Sequence, residues 1–238
     1  MRDHRLMARR AMLLSVVIGA AVGVALSPAC RIWEVRVVGP TQSVADEVAS
    51  KIQLPLRANT VFLPLQAVSA AEHACYRVKS LAVRRNPWHG ITVTVHEREP
   101  VVALASDDGY TLVDKDGICL IRTDTPGVLP VFRGLASERP TLGDRIPPEW
   151  LSTVRACLAG AAAVQAAEGA QFDFSNTQLS TLKTRDGVVG KLGDMRNLQR
   201  KIVLFGQLLH ELRADGERVA YIDVRVENKP TWRRSHSH

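Results

Sequence analysis

The sequence lacks the short motifs that usually mark an enzyme or a metal centre. Its seven histidines form no His-Glu-x-x-His pair, and the chain has no Gly-x-Ser-x-Gly elbow. Gly190-Lys191 comes nearest to a phosphate-binding loop, but Leu192 follows where Ser or Thr is needed. We therefore predict that the protein is not an enzyme and has no catalytic residues, no cofactor and no metal site.

Cysteine is also scarce, with only four residues and no C-x-x-C pair. The four are Cys30, Cys75, Cys119 and Cys157. Their wide spacing does not fit a zinc site, and we expect small buried thiols, with any disulfide pairing left open. Asp114-Lys115-Asp116-Gly117 resembles the start of a calcium loop, but Ile118 occupies a ligand position, so the pattern favours a hairpin turn.

Aromatic residues are few, at 5% of 238 residues, whereas basic residues are in excess. The formal net charge is +7 and the isoelectric point is about 9.6, but the basic residues are scattered along the chain. Scattered charge with few aromatics does not favour nucleic-acid binding. Two explanations of the positive charge remain: attraction to anionic lipid or cell-wall polymer, or simply a solvated basic surface.

The chain does contain one long uncharged run, Ala11 to Cys30, with arginines on both sides. Twenty helical residues would span about 30 Å, so this run predicts a transmembrane helix over 11–31. The basic residues before it predict a cytoplasmic tail, 1–10, and an external remainder. A cleavable signal peptide, with small residues at Ala25 and Ser27, and a lipoprotein site at Cys30 are the alternatives.

Beyond the run, the pattern changes near Pro100. Residues 32–100 read as a β-α-α-β-β module, beginning with the alternating strand 33–38. Residues 101–232 read as hairpins and strands with a helix over about 148–167, a second helix with Asp194 as its N-cap, and a last strand, Val219 to Val226. A flexible tail, 233–238, is expected to follow. The predicted fold class is therefore α+β with one N-terminal transmembrane helix.

Several segments, in order, resemble the FtsQ/DivIB family of bacterial cell-division proteins. The relevant segments are Val83 to Pro87 with Glu97-Arg98-Glu99-Pro100, Leu112 to Gly117, Leu129-Pro130-Val131 with Gly134, Leu192-Gly193 with Lys201, and Tyr221 to Arg225. The likeness extends from about Met12 to Trp232. It implies a POTRA domain over 32–100 and a β-domain over 101–232.

The resemblance implies a noncatalytic divisome scaffold that links early and late division proteins and controls septal peptidoglycan synthesis. The implied partners are FtsB/DivIC-like and FtsL-like proteins, septal synthase components and the membrane, with no nucleic acid. The implied location is the bacterial inner membrane at the division septum, in a single pass with the C-terminal domain periplasmic.

The implied docking site is the edge of the last strand. Matching the family strand residue by residue gives Tyr221, Asp223, Arg225, Val226, Glu227, Asn228 and Trp232 as partner-binding residues. Val226 stands where better-studied members carry a Tyr. Two other readings are an envelope POTRA protein that chaperones outer-membrane or secreted polypeptides and an anchored cell-wall enzyme.

Overall fold

A computed structural model describes residues 2–54, 58–63, 65–86, 90–135, 140–164 and 168–235. The chain divides into two compact units, Met1–Arg98 and Glu99–His238. The first unit contains α1 (Arg2–Ala25), a 3₁₀ turn (Pro28–Cys30), β1 (Glu34–Val38), α2 (Gln42–Lys51), α3 (Leu65–Ala74), β2 (Val78–Asn86) and β3 (Gly90–Glu97).

The predicted transmembrane helix over 11–31 is wrong. Helix α1 begins at Arg2, so it includes the arginines that were expected to precede the membrane, and it ends at Ala25. Its uncharged part, residues 11–25, is about 22 Å long at 1.5 Å per residue, which falls short of the roughly 30 Å hydrocarbon layer. Within the described residues, no helix combines the length and the apolar character that crossing a membrane requires.

The first unit has a three-stranded sheet in the order β1-β3-β2, with β1 parallel and β2 antiparallel to β3. Helix α2 buries Val44 and Val48, which lie four residues apart and therefore on one face of the helix. Ile91, Val93 and Val95 of β3 alternate in sequence and are buried. Because side chains alternate across a strand, these three share the sheet face that forms the core.

In the described part of the second unit there are nine strands and two helices. They are β4 (Pro100–Ser106), β5 (Gly109–Asp114), β6 (Cys119–Thr123), β7 (Val131–Arg133), α4 (Pro148–Ala163), β8 (Gln171–Asp173), β9 (Ser180–Lys183), β10 (Val189–Gly193), α5 (Leu198–Ala214), β11 (Val219–Asp223) and β12 (Thr231–Arg234). All nine strands form one sheet in the order β12-β11-β10-β9-β8-β7-β4-β5-β6. The described chain as a whole is a mixed α+β structure.

Helix α5 packs on β10 and β11 through the apolar residues that its sequence pattern predicted. Leu198, Ile202, Phe205 and Leu209 are all buried, at spacings of three and four residues. A Cβ atom added at Gly190 of β10 would lie 2.8 Å from the Phe205 ring. Glycine therefore lets the helix approach the strand closely.

The end of the chain differs from the expected single last strand. Strand β11 ends at Asp223 rather than Val226, and the chain then turns and returns as β12. Strand β12 is antiparallel to β11, so β11 lies inside the sheet and β12 forms its edge. Arg233 and Arg234 of β12 belong to the segment that was expected to be a flexible tail, and residues 236–238 of that tail lie outside the described residues.

Candidate functional site

The C-terminal edge of the second sheet consists of β12 and the turn before it. All four residues of β12 are exposed, and Trp232 exposes 40% of its surface. Trp232 pairs with Ile222, and Thr231 pairs with Asp223. No strand of the described chain lies on the outer side of β12. Its outward backbone groups can therefore pair with an added strand.

Tyr221 lies in the middle of β11, opposite Arg233 of β12 and Val189 of β10. Its ring is half-buried, and the Nζ atom of Lys191 lies 3.9 Å from the ring centroid. This geometry is a cation–π contact between neighbouring strands. The sheet itself therefore occupies one face of the Tyr221 ring.

Asp223 and Arg225 form a close pair where β11 ends. The Oδ1 atom of Asp223 accepts a hydrogen bond from the Arg225 backbone N–H (3.1 Å), and its Oδ2 accepts another from Nη2 of the Arg225 side chain (2.6 Å). These hydrogen bonds lower the pKa of Asp223, and the bond from the Arg225 side chain makes the largest contribution. The Asx turn that they close ends β11 and redirects the chain.

Glu227 lies in the turn and is largely covered, with 19% of its side chain exposed. Its Oε1 accepts a hydrogen bond from the Asn197 side-chain amide (3.1 Å), and its Oε2 lies 3.0 Å from Nε of Arg200. Both carboxylate oxygens thus contact the beginning of α5. We name Glu227, Asn197 and Arg200 the Glu227 cluster.

The other three residues predicted for the site present side chains to solvent. Val226 is 60% exposed, which is unusual for a valine, and Asn228 is exposed beside it. Trp232 follows on β12. Apolar side chains next to an open strand edge can contact the side chains of an added strand.

An ion pair joins the buried Lys201 of α5 to Asp194, which follows β10. The Lys201 side chain is only 5% exposed, and its Nζ lies 2.7 Å from Oδ1 of Asp194 and 3.0 Å from the Asp194 carbonyl oxygen. The hydrogen bond from Lys201, with help from Arg196, lowers the pKa of Asp194 to about 2. Asp194 therefore does not act as the predicted N-cap, because α5 begins at Leu198, with Asn197 before it.

The sequence pattern did not indicate that Lys191, Asn197 and Arg200 contact the predicted site residues. No local signal connects Asn197 with a glutamate 30 residues later. Lys201 did carry a signal, because it interrupts the apolar face of α5 between Leu198 and Ile202. A lysine at such a position requires a buried acceptor.

The four cysteines are free and buried. Burial raises the pKa of the Cys157 thiol to about 12, and burial together with nearby aspartates raises that of Cys119 to about 11. Such thiols are poor nucleophiles. Among the described residues, no three His, Cys, Asp or Glu side chains are grouped to hold a metal ion.

The hairpin predicted at Asp114 joins β5 and β6. The Oδ1 atom of Asp114 accepts hydrogen bonds from the backbone N–H groups of Asp116 (2.9 Å) and Ile118 (2.8 Å). This carboxylate oxygen closes the turn. The pattern is therefore a turn, as its residues predicted.

The sheet edge at β12 is open and has exposed apolar side chains beside it, an arrangement that can accept an added strand. No protein-family model matches the chain. The chain is 29% identical over 124 residues to the cell division protein FtsQ of Mycobacterium bovis and, to the same extent, of two strains of Mycobacterium tuberculosis.

The matched stretch covers 51% of this chain and 40% of each relative, so the chain spans less than half the length of the curated relatives it matches. These relatives confirm the resemblance to the FtsQ/DivIB family. The likeness supports a role in cell division.

Proposed function

We propose that the protein is a noncatalytic scaffold of the cell-division machinery that acts at the division septum. Its partners would be FtsB/DivIC-like and FtsL-like division proteins, and through them it would control septal peptidoglycan synthesis. The likeness to proteins named cell division protein FtsQ supports this proposal. We also propose that residues 32–100 are a POTRA domain and residues 101–232 a β-domain of that family.

The open edge of β12 is the observation that carries the docking proposal. A partner segment can add as a further strand, because main-chain hydrogen bonds to an edge require only an extended chain. The opposite edge of the sheet, β6, is partly covered. There the Cys119 N–H donates to the Asp144 carbonyl (3.0 Å), and the Gly143 N–H donates to the Cys119 carbonyl (2.8 Å). This difference favours β12 as the docking edge.

The seven proposed site residues would have two kinds of role. Trp232, Val226 and Asn228 are exposed and would touch the partner strand. Tyr221, Asp223, Arg225 and Glu227 already contact residues of this chain, which supports a role in holding the edge. Specificity would then come from the exposed apolar side chains, and much of the affinity from the backbone.

Hydrogen exchange of the full chain with and without a purified FtsB/DivIC-like fragment tests the docking edge. We expect slower amide exchange in Thr231–Arg234 when the fragment is bound and unchanged exchange in Cys119–Thr123 of β6. Unchanged exchange in β12 at saturating fragment would refute docking at this edge.

Truncation of Trp232 tests the side-chain contact. Trp232→Ala is expected to weaken binding about tenfold, since a large aromatic anchor at an interface contributes more than 1 kcal/mol. The matched control is Val128→Ala, which removes an apolar side chain that is 59% exposed in the loop before β7. Equal affinities for the two variants would contradict a contact at Trp232.

A further inference from the structure

The turn between β11 and β12 is attached to the rest of the second unit at three points. The Val224 N–H donates to the Lys191 carbonyl of β10 (3.0 Å). The Arg225 side chain packs against Gly193, where an added Cβ would lie 2.9 Å from the Arg225 Cγ. The third attachment is Glu227. Together these contacts hold the turn against the end of β10 and the beginning of α5.

The first two attachments hold the start of the turn, next to β11. Glu227 lies four residues before β12 and is the attachment nearest to the edge strand. Its two carboxylate oxygens bind two different side chains, an amide and a guanidinium. The Glu227 side chain is 19% exposed, whereas that of Arg200 is 76% exposed, so the cluster lies at the protein surface with its carboxylate largely covered.

Asn197 adopts a left-handed backbone conformation at this cluster. Its φ angle is 53°, in the left-handed region, and it is the one non-glycine residue with positive φ in the described chain. Its side chain makes no capping bond to α5 and instead donates to Glu227. Asn adopts this conformation more readily than most other non-glycine residues, and at Asn197 it accompanies the hydrogen bond to Glu227.

We infer that Glu227 is a positioning residue that holds the β11–β12 turn, and with it the docking edge, in the binding-competent arrangement. This inference depends on the proposed docking at β12. Apparent affinity falls in proportion to the population of the competent arrangement. If loss of the Glu227 cluster leaves a tenth of the molecules competent, the Kd rises about tenfold.

The test compares Glu227→Ala, Glu227→Gln and a control, Glu211→Ala, in the full chain. Glu211 is exposed on α5, outside the cluster. Each variant is titrated with the purified FtsB/DivIC-like fragment, and hydrogen exchange over residues 224–234 is measured without the fragment. For Glu227→Ala we expect a Kd about tenfold higher and faster exchange over 224–234 in the free protein.

The conservative variant separates the two contacts. Glu227→Gln keeps an oxygen that can accept from Asn197 but loses the charge opposite Arg200, so we expect an intermediate Kd and intermediate exchange. Arg200→Ala should weaken binding, and the double variant Arg200→Ala with Glu227→Ala should bind like Glu227→Ala alone. Glu211→Ala should match the parent protein in both measurements.

Two results would overturn the inference. Parent-like affinity of Glu227→Ala is one of them. The other is weakened binding with unchanged exchange over 224–234, because Glu227 would then contact the partner directly. Failure of the docking proposal can be distinguished from failure of this inference. If docking at β12 is wrong, the β12 amides of the parent protein stay unprotected in the complex. The exchange rates of the free variants still show whether Glu227 positions the turn.

Discussion

At the scale of single residues, Lys201 and Asp194 show how one buried charge constrains the end of the sheet. Lys201 occupies a position on the inward face of α5 and is 5% exposed. An ammonium group at that depth requires an acceptor, and Asp194 supplies both a carboxylate oxygen and its backbone carbonyl. The pair holds the segment between β10 and α5, which includes Asn197 of the Glu227 cluster.

The lowered pKa of Asp194 leads to a prediction about acid stability. In the unfolded chain an aspartate titrates near 3.9, whereas in the folded chain the pKa of Asp194 is about 2. Its contribution to stability is therefore complete above about pH 4 and is lost as the pH falls through about 2. Urea midpoints of Asp194→Asn should fall less steeply between about pH 4 and pH 2 than those of the parent.

The matched control is Asp107→Asn, at an exposed position in the β4–β5 turn. It should retain the parent's slope over the same pH range. Identical slopes for the parent and Asp194→Asn would show that the pair contributes nothing to acid stability.

The sequence pattern could not indicate which of the proposed site residues contact other residues of this chain. Glu227 and Asn228 were both expected to bind a partner, yet Glu227 turns its carboxylate toward Asn197 and Arg200, while Asn228 is exposed. The distinction depends on contacts between residues about 30 positions apart. Periodicity within one strand or helix contains no information about such contacts.

At the scale of elements, α5 was predictable because its apolar residues recur at helical spacing over a long segment. Strand β12 was not, since it has four residues, all exposed, and directly follows Pro230. A strand whose two faces are both exposed has no alternation of apolar and polar residues to indicate it. Helix α1 was misjudged for another reason: the uncharged run was predictable, but the helix extends back over the arginines and ends at Ala25.

Helix α5 should contribute strongly to the stability of the second unit through Phe205. This residue is fully buried and its ring lies against Gly190. Phe205→Ala should lower the free energy of unfolding by about 4 kcal/mol, because it removes a large buried side chain and leaves a cavity. The neighbouring strand residue, Gly190, has no side chain that could fill this cavity. Urea denaturation followed by circular dichroism measures the change.

Gln207→Ala, at an exposed position on the same helix, is the control and should change the unfolding free energy by less than about 0.5 kcal/mol. A loss below about 1 kcal/mol for Phe205→Ala would contradict the packing of α5 on β10.

At the scale of the whole molecule, each unit has its own hydrophobic core. One cluster of buried residues, including Phe132, Phe172 and Phe174, lies entirely within Glu99–His238, and the rings of Phe132 and Phe172 stack at 4.7 Å between centroids. Two further clusters, containing Val48 and Val93 respectively, lie entirely within Met1–Arg98. A unit with a separate core can fold separately.

Fragments 32–98 and 99–235 test this expectation together with the docking proposal. Each fragment should unfold in one cooperative transition, because each keeps a complete core. Since β12 belongs to the second unit, fragment 99–235 should bind the FtsB/DivIC-like fragment with the affinity of the full chain, and fragment 32–98 should not bind it. Fluorescence-detected melting and isothermal titration measure the two properties. Cooperative unfolding of 99–235 without binding would place the docking surface outside the second unit, and binding by 32–98 alone would place it in the first.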